Sequence, residues 1–212
     1  MQMEDLLDLY ELPYDPTWPQ ICVDERPCQL LGDILVPLPM QPGKCARYDY
    51  HYERNGTCCL FMAIEPLTGF RFAQVRSQRT KVDYAEFMQA FVSLPRYQDA
   101  KGFRLVQDNL NTHSAGSFYQ AFDPETARQL KLKFEYHYTP TNASWLNMAE
   151  IELSALSKQC LDRRIPDQDK LAREVLACVK ERNEKHITIT WRFTTTDARK
   201  KLQRHYNTIK NL

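Results

Sequence analysis

The chain has 212 residues, 43% hydrophobic and 26% charged: the length of one large domain or two small ones, and the composition of a soluble globular protein. Its net charge of +1 conceals an asymmetry, because residues 1–33 carry eight Asp or Glu against Arg26 alone, while residues 158–212 carry fourteen Lys or Arg against seven Asp or Glu; the basic end either faces nucleic acid or is a solvated helical face. Seven cysteines without a Cys-x-x-Cys pair exclude a disulfide framework and a zinc ribbon and read as buried, reduced thiols of a cytosolic protein, and no signal peptide or apolar run of membrane-spanning length is present.

Taken in chain order, residues 1–12 predict a short amphipathic helix, and Pro13, Pro16 and Pro19 an extended linker, so that 1–17 reads as a helix and linker ahead of the domain. Residues 20–31 predict a strand containing Asp24, and the Pro-rich stretch 35–44 a loop. Residues 45–54 alternate around Tyr48, Tyr50 and Tyr52, Asn55-Gly56 is a hairpin-turn signal, and 57–66 and 69–76 predict two more strands, giving an antiparallel meander. Adjacent Cys58 and Cys59 should then point to opposite faces.

The pattern changes at residue 80. Thr80 is a candidate cap for a helix whose apolar side carries Val82, Phe87, Ala90 and Phe91. A buried strand follows, with Phe103, Leu105 and Val106, ending at Asp108. Then come a helical stretch broken near Pro124, a strand over 133–140, a long helix over 142–161 with Asn142 or Ser144 as cap, an amphipathic helix over 167–185, and a last helix from about residue 194. A meander followed by alternating helices and strands predicts an α/β fold, with a mixed central sheet and helices on both faces.

Three carboxylates stand out. Asp24 lies in the first strand and Asp108 ends the strand after the first long helix; if these strands are neighbours, the two side chains converge. A third carboxylate would come from the helix over 142–161, where Glu150 and Glu152 compete. Such a cluster suits two hard divalent ions, Mg²⁺ or Mn²⁺, in phosphodiester displacement. With 27 Asp and Glu in the chain, chance placement at element ends is the commoner source of such a pattern when spacing alone is considered. Helical periodicity does not choose between the glutamates. The stripe through Trp145, Ala149, Leu153, Leu156 and Cys160 puts Glu152 nearer the core, where it needs a partner, and Glu150 at the boundary.

The segments ICVDERPCQLLGD, RYDYHYERNGTCCLFMAIEPLTGFR, LVQDNLNTHS and HYTPTNASWLNMAEIELSALSKQCLDRRI occur in that order. Together they resemble the catalytic domain of bacterial insertion-sequence transposases of the Tc/mariner superfamily, the DDE superfamily endonucleases, over about residues 18–205. The resemblance implies a ribonuclease H-like fold over 18–212 and metal-dependent DNA cleavage and strand transfer with two Mg²⁺ or Mn²⁺ ions. It implies Asp24, Asp108 and Glu150 as catalytic metal ligands. It further implies double-stranded DNA partners (terminal inverted repeats and target), a homodimeric active complex, no membrane, and a cytoplasmic, nucleoid-associated location in a bacterium. Two departures stand out: Asn142 replaces a His common in relatives, and the spacing from Asp108 to Glu150 exceeds that of the eukaryotic branch.

Around these positions, Asn109, Asn111 and His113 are placed to orient the second Asp or its metal-bound water, or else to cap a turn. Glu25 is a neighbouring base or a plain strand-edge charge. Trp145 reads as core packing rather than a base-stacking platform. Arg163, Arg164, Arg199, Lys200, Lys201 and Arg204 are candidate phosphate contacts, conferring affinity without sequence readout. The helix-turn-helix modules that accompany such catalytic domains are not expected within this chain. The competing expectation is therefore an impaired remnant serving only as a DNA-binding or protein-interaction module.

Overall fold

Apolar runs without alternation bury both faces of a strand, and the two richest runs in the first third of the chain become the middle of the sheet. The computed structural model describes residues 2–204 and 206. Strands β1 (Gln20–Asp33), β2 (Tyr52–Glu65) and β3 (Phe70–Arg76) form the expected antiparallel meander, and β4 (Phe103–Gln107) and β5 (Phe134–Tyr138) extend it in parallel. The order is β3-β2-β1-β4-β5.

Helices cover both faces. On one side α2 (Lys81–Val92), α3 (Phe118–Ala121) and α4 (Pro124–Leu132) bury Tyr84, Phe87, Phe91, Phe118 and Leu130 against Val23, Cys59, Phe61 and Leu105. On the other, α5 (Met148–Gln159) and α6 (Gln168–Glu184) pack Leu153, Leu156, Val175 and Val179 against Cys58, Leu60 and Met62. Cys58 and Cys59 thus serve opposite cores, as strand alternation requires. Thr80 caps α2 in a reciprocal capping box with Asp83.

Four expectations are corrected. The first helix, α1 (Gln2–Tyr10), is part of the core: Leu6 and Leu7 are fully buried with Val106, Leu146, Met148 and Ala198 of α7 (Thr195–Lys201). Its acidic residues meet the basic end of the chain, Glu4 pairing with Arg199 at 2.7 Å, so part of the charge asymmetry is satisfied internally. Asn55-Gly56 makes no hairpin turn. Both residues stand opposite Leu30 in a β-bulge, with Gly56 at φ 108°, and the Asn55 amide donates to the Pro166 carbonyl at 3.0 Å. The residues before Tyr52, expected as a strand from 45, belong to a loop held by isolated bridges such as Leu38 to Arg47. The long helix begins only at Met148, capped by Asn147, after a single 3-10 turn at Ser144–Leu146 that holds Trp145. Asn142, with φ 61°, cannot start an α-helix there.

Candidate metal centre

Parallel pairing aligns β1 and β4 so that Cys22 stands beside Val106. Two residues on from this pair come Asp24, still within β1, and Asp108, the residue that follows the end of β4. Cys22 and Val106 bury under α1 and α5, so this face is the one that α5 crosses. Glu150 occupies the first turn of α5, where the helix dipole favours a carboxylate.

Asn147 ties α5 to this edge. Its side-chain carbonyl caps the helix at the Ala149 amide, 3.1 Å away, while its amide donates to the Val23 carbonyl at 2.9 Å and to the Asp24 carboxylate at 3.4 Å. The other Asp24 oxygen accepts from the Glu25 backbone N–H at 2.8 Å. Burial, reinforced by the charges of Glu150, Glu25 and Asp108, pushes the Asp24 carboxyl up to about 7. Asn147 was missed as a site residue. The available signal was an Asn directly before an amphipathic run, the usual mark of a helix cap.

Glu152 is committed elsewhere. It lies 2.7 Å from the fully buried Arg71 and 2.6 Å from Arg182. Burial alone would raise its carboxyl, but the two guanidinium groups outweigh this and hold it low. Arg71 also donates to the Ile187 carbonyl at 2.7 Å, and the Arg71 amide meets the Asn183 side chain at 2.8 Å. This network joins β3, α5 and α6 and sets the rotation of α5. Two positions from Glu152 along the helix, Glu150 is therefore turned outward, and it is exposed.

Of the residues around Asp108, His113 is buried and bridges two carboxylates. One ring nitrogen contacts Asp108 and the other lies 2.6 Å from Glu25. Burial disfavours its charge, yet the hydrogen bonds to Asp108 and Glu25 and their negative charges push the imidazole up to about 10. Gln107 holds the loop by donating to the His113 carbonyl at 2.7 Å, and Tyr84 donates to Gln107 at 2.6 Å. Glu25 is thus an anchor for His113 rather than a strand-edge charge. Asn109 and Asn111 are exposed on the loop.

The candidate donors are all carboxylate oxygens, the chemistry that Mg²⁺ and Mn²⁺ select. Four acidic side chains, Asp24, Glu25, Asp108 and Glu150, lie near one another, and of these Glu25 and Asp108 contact His113. Among the described residues no three Asp, Glu, His or Cys side chains are within reach of one ion at once, Asp108 being turned onto His113. A cavity of about 350 Å³ adjoins the site, lined by Glu25, Arg26, Glu150, Ser154 and Lys158. Arg26 and Lys158, not singled out in the sequence, place positive charge beside the carboxylates.

The candidate DNA contacts divide. Arg164 is consumed internally: it pairs with Asp33 at 2.8 Å and donates to the carbonyls of Asp49 and His51, anchoring the loop between β1 and β2. It is withdrawn as a phosphate contact. Arg163 pairs with Glu174 at 2.5 Å. Lys200, Lys201 and Arg204 are exposed at the end of the chain. Trp145 is not core: it is 47% exposed, because the 3-10 turn lifts it off the stripe on which a continuous helix would have buried it.

The family model described as DDE superfamily endonuclease matches residues 19–172. Among solved structures, the Mos1 mariner paired end complex with Mn is similar at 16% identity and TM-score 0.50, over 87% of this chain and 59% of that one. A pre-cleavage Mos1 transpososome is similar at 14% identity and TM-score 0.43, over 87% and 59%. The chain therefore spans about three-fifths of the length of these structures. No curated protein matches it. The likeness identifies the fold as ribonuclease H-like. Among the described residues no helix is long and apolar enough to cross a membrane.

Proposed function

The chain belongs to the DDE superfamily of endonucleases, and we propose that it is a transposase catalytic domain. In this reading it cleaves phosphodiester bonds at transposon ends and joins the freed 3′ end to target DNA, with Asp24, Asp108 and Glu150 as ligands for Mg²⁺ or Mn²⁺. The observation that carries the reading is the parallel pairing of β1 with β4, whose last aligned pair, Cys22 with Val106, comes two residues before Asp24 and Asp108, with the Glu150 helix packed over the same residues.

Divalent ions held there would polarise the scissile phosphate and activate water or a sugar hydroxyl as nucleophile. Asn147 steadies the Asp24 carboxylate, and His113 steadies Asp108 while leaving it lone pairs for further bonds. Arg26 and Lys158 flank the opening and attract the phosphate backbone. The partners are double-stranded DNA and a second copy of the protein. The similar Mos1 structure, a paired end complex with Mn, is in keeping with both the ion and the partner.

The test is cleavage of a duplex carrying a transposon end, in Mg²⁺ and in Mn²⁺. Asp24→Asn, Asp108→Asn and Glu150→Gln should each lower the rate by roughly a thousandfold or more, the scale of metal-supplied stabilisation, with unchanged circular dichroism. Any of the three cutting as well as the wild type would remove that residue from the site. A wild-type chain that binds duplex but cuts nothing in either ion would favour the impaired remnant.

A further inference from the structure

Between the end of α5 and the side of α6 runs an open groove holding two thiols that the catalytic reading does not use. It has a volume of about 860 Å³ and is lined by Cys160 and Cys178 together with Lys158, Gln159, Arg182 and Lys185. Cys160 is the C-cap residue of α5, and Cys178 lies within α6. Both are free thiols, packed on the core of Leu153, Leu156, Val175 and Val179 yet still partly open to solvent.

Two polar contacts fix how the thiols face each other. Arg182 donates to the Gln159 side chain at 3.1 Å, and Arg163 pairs with Glu174 at 2.5 Å. On α6, Glu174, Cys178 and Arg182 are spaced four apart and so share one face. On the other segment Cys160 lies between Gln159 and Arg163. The two contacts therefore bracket the pair and hold the sulfurs opposite each other, with Cys178 a hydrogen-bond partner of the Cys160 thiol. Burial pushes the Cys160 thiol up to about 11 and raises that of Cys178, so both rest protonated and react slowly.

We propose that Cys160 and Cys178 form a redox site, which a small-molecule disulfide such as oxidised glutathione converts to a disulfide bond locking the end of α5 to α6. One protein thiol gives up its proton and attacks a sulfur of the small disulfide, expelling one small thiolate. The second protein thiol then attacks the protein sulfur of this mixed disulfide and expels the other half. The protein pair loses two electrons and two protons, and the small disulfide, reduced, leaves as two thiols. Cys178 stands one helical turn from Arg182, so the bond spans the same two helices as the pairing of Arg182 with Glu152. It holds the Glu150 helix covalently where that pairing holds it by charge, and it does so whether or not the chain cleaves DNA.

The experiment uses the full chain carrying Cys45→Ser, which removes the exposed cysteine. The protein is reduced, freed of reductant and equilibrated with oxidised glutathione. Tryptic digestion without reduction should then yield fragments 159–163 and 174–180 joined, two hydrogens lighter than their sum by mass spectrometry. The melting temperature should rise by about 6–12 °C, the effect of closing a loop of this length in a domain of this size, and dithiothreitol should reverse the rise. Adding Cys160→Ser or Cys178→Ser should abolish both the joined fragments and the rise. A pair that stays reduced, glutathione left on either cysteine without the joined fragments, or joined fragments without a rise in melting temperature overturns the proposal. An equal rise in the two serine variants overturns it as well. None of these readouts involves cleavage, so the nuclease reading stands or falls separately.

Discussion

Glu152→Ala tests the idea that a buried ion network, and not the proposed metal-binding carboxylates, sets the orientation of α5. The Arg71 and Glu152 side chains are 0% and 1% exposed, and Arg182, at 11%, closes the network. Removing the carboxylate strands the Arg71 charge where water cannot reach it, and breaking a buried pair in this way costs about 3–5 kcal/mol. In a domain of this size each kcal/mol lowers the melting temperature by roughly 2–4 °C, so the expected drop is about 6–20 °C. The assay is thermal denaturation by circular dichroism, with urea unfolding to obtain the free energy. The double variant Arg71→Met with Glu152→Leu should recover part of the loss, because an apolar pair leaves no uncompensated charge. A Glu152→Ala melt within about 2 °C of the wild type, below the shift of even 1 kcal/mol, would refute the claim that this network organises the helix.

Asn147→Ala removes the α5 cap and the bonds to the Val23 carbonyl and Asp24, so stability should fall by about 1–3 kcal/mol and cleavage should fall further than the lost stability explains; unaltered cleavage would show that Asp24 needs no such support. Saturating Mn²⁺ should raise the melting temperature of the wild type, because a ligand of the folded state stabilises it by mass action, and Asp24→Asn should abolish the rise. Equal rises in both would place the ion elsewhere. Thr80→Ala should cost about 1 kcal/mol in urea unfolding through loss of the α2 capping box, with no change in DNA affinity.

Much of this architecture is local chemistry and so was legible in the residues. Strand alternation placed Cys58 and Cys59 on opposite faces, and Thr80 before an amphipathic run marked a helix start. Of the candidate carboxylates, Glu150 is exposed at the start of α5, while Asp24 and Asp108 are half-buried. The readings that failed were those in which local pattern competes with its surroundings. Asn55-Gly56 has the same backbone preference in a bulge as in a turn, and only the pairing of β1 with β2 selects the bulge. Trp145 fits a helical stripe that the chain abandons for a 3-10 turn, because the helix starts where Asn147 can cap it and reach Val23.

The sequence by itself determined the order and type of the elements, the acidic residues available to a metal, and the family. Local propensity, periodicity and motif order require no knowledge of which segments touch. Tertiary structure alone decided which of those charges is free to act. Glu152 and Arg164 look as available as Glu150 and Arg163 when read along the chain. Glu152 disappears into a buried pair with Arg71, eighty-one residues away in sequence, and Arg164 into the loop between β1 and β2. His113 gains its grip on Asp108 and Glu25 only because parallel pairing brings β1 beside β4. Burial and long-range pairing set the energy of a charge, and neither is a property of its neighbours in sequence.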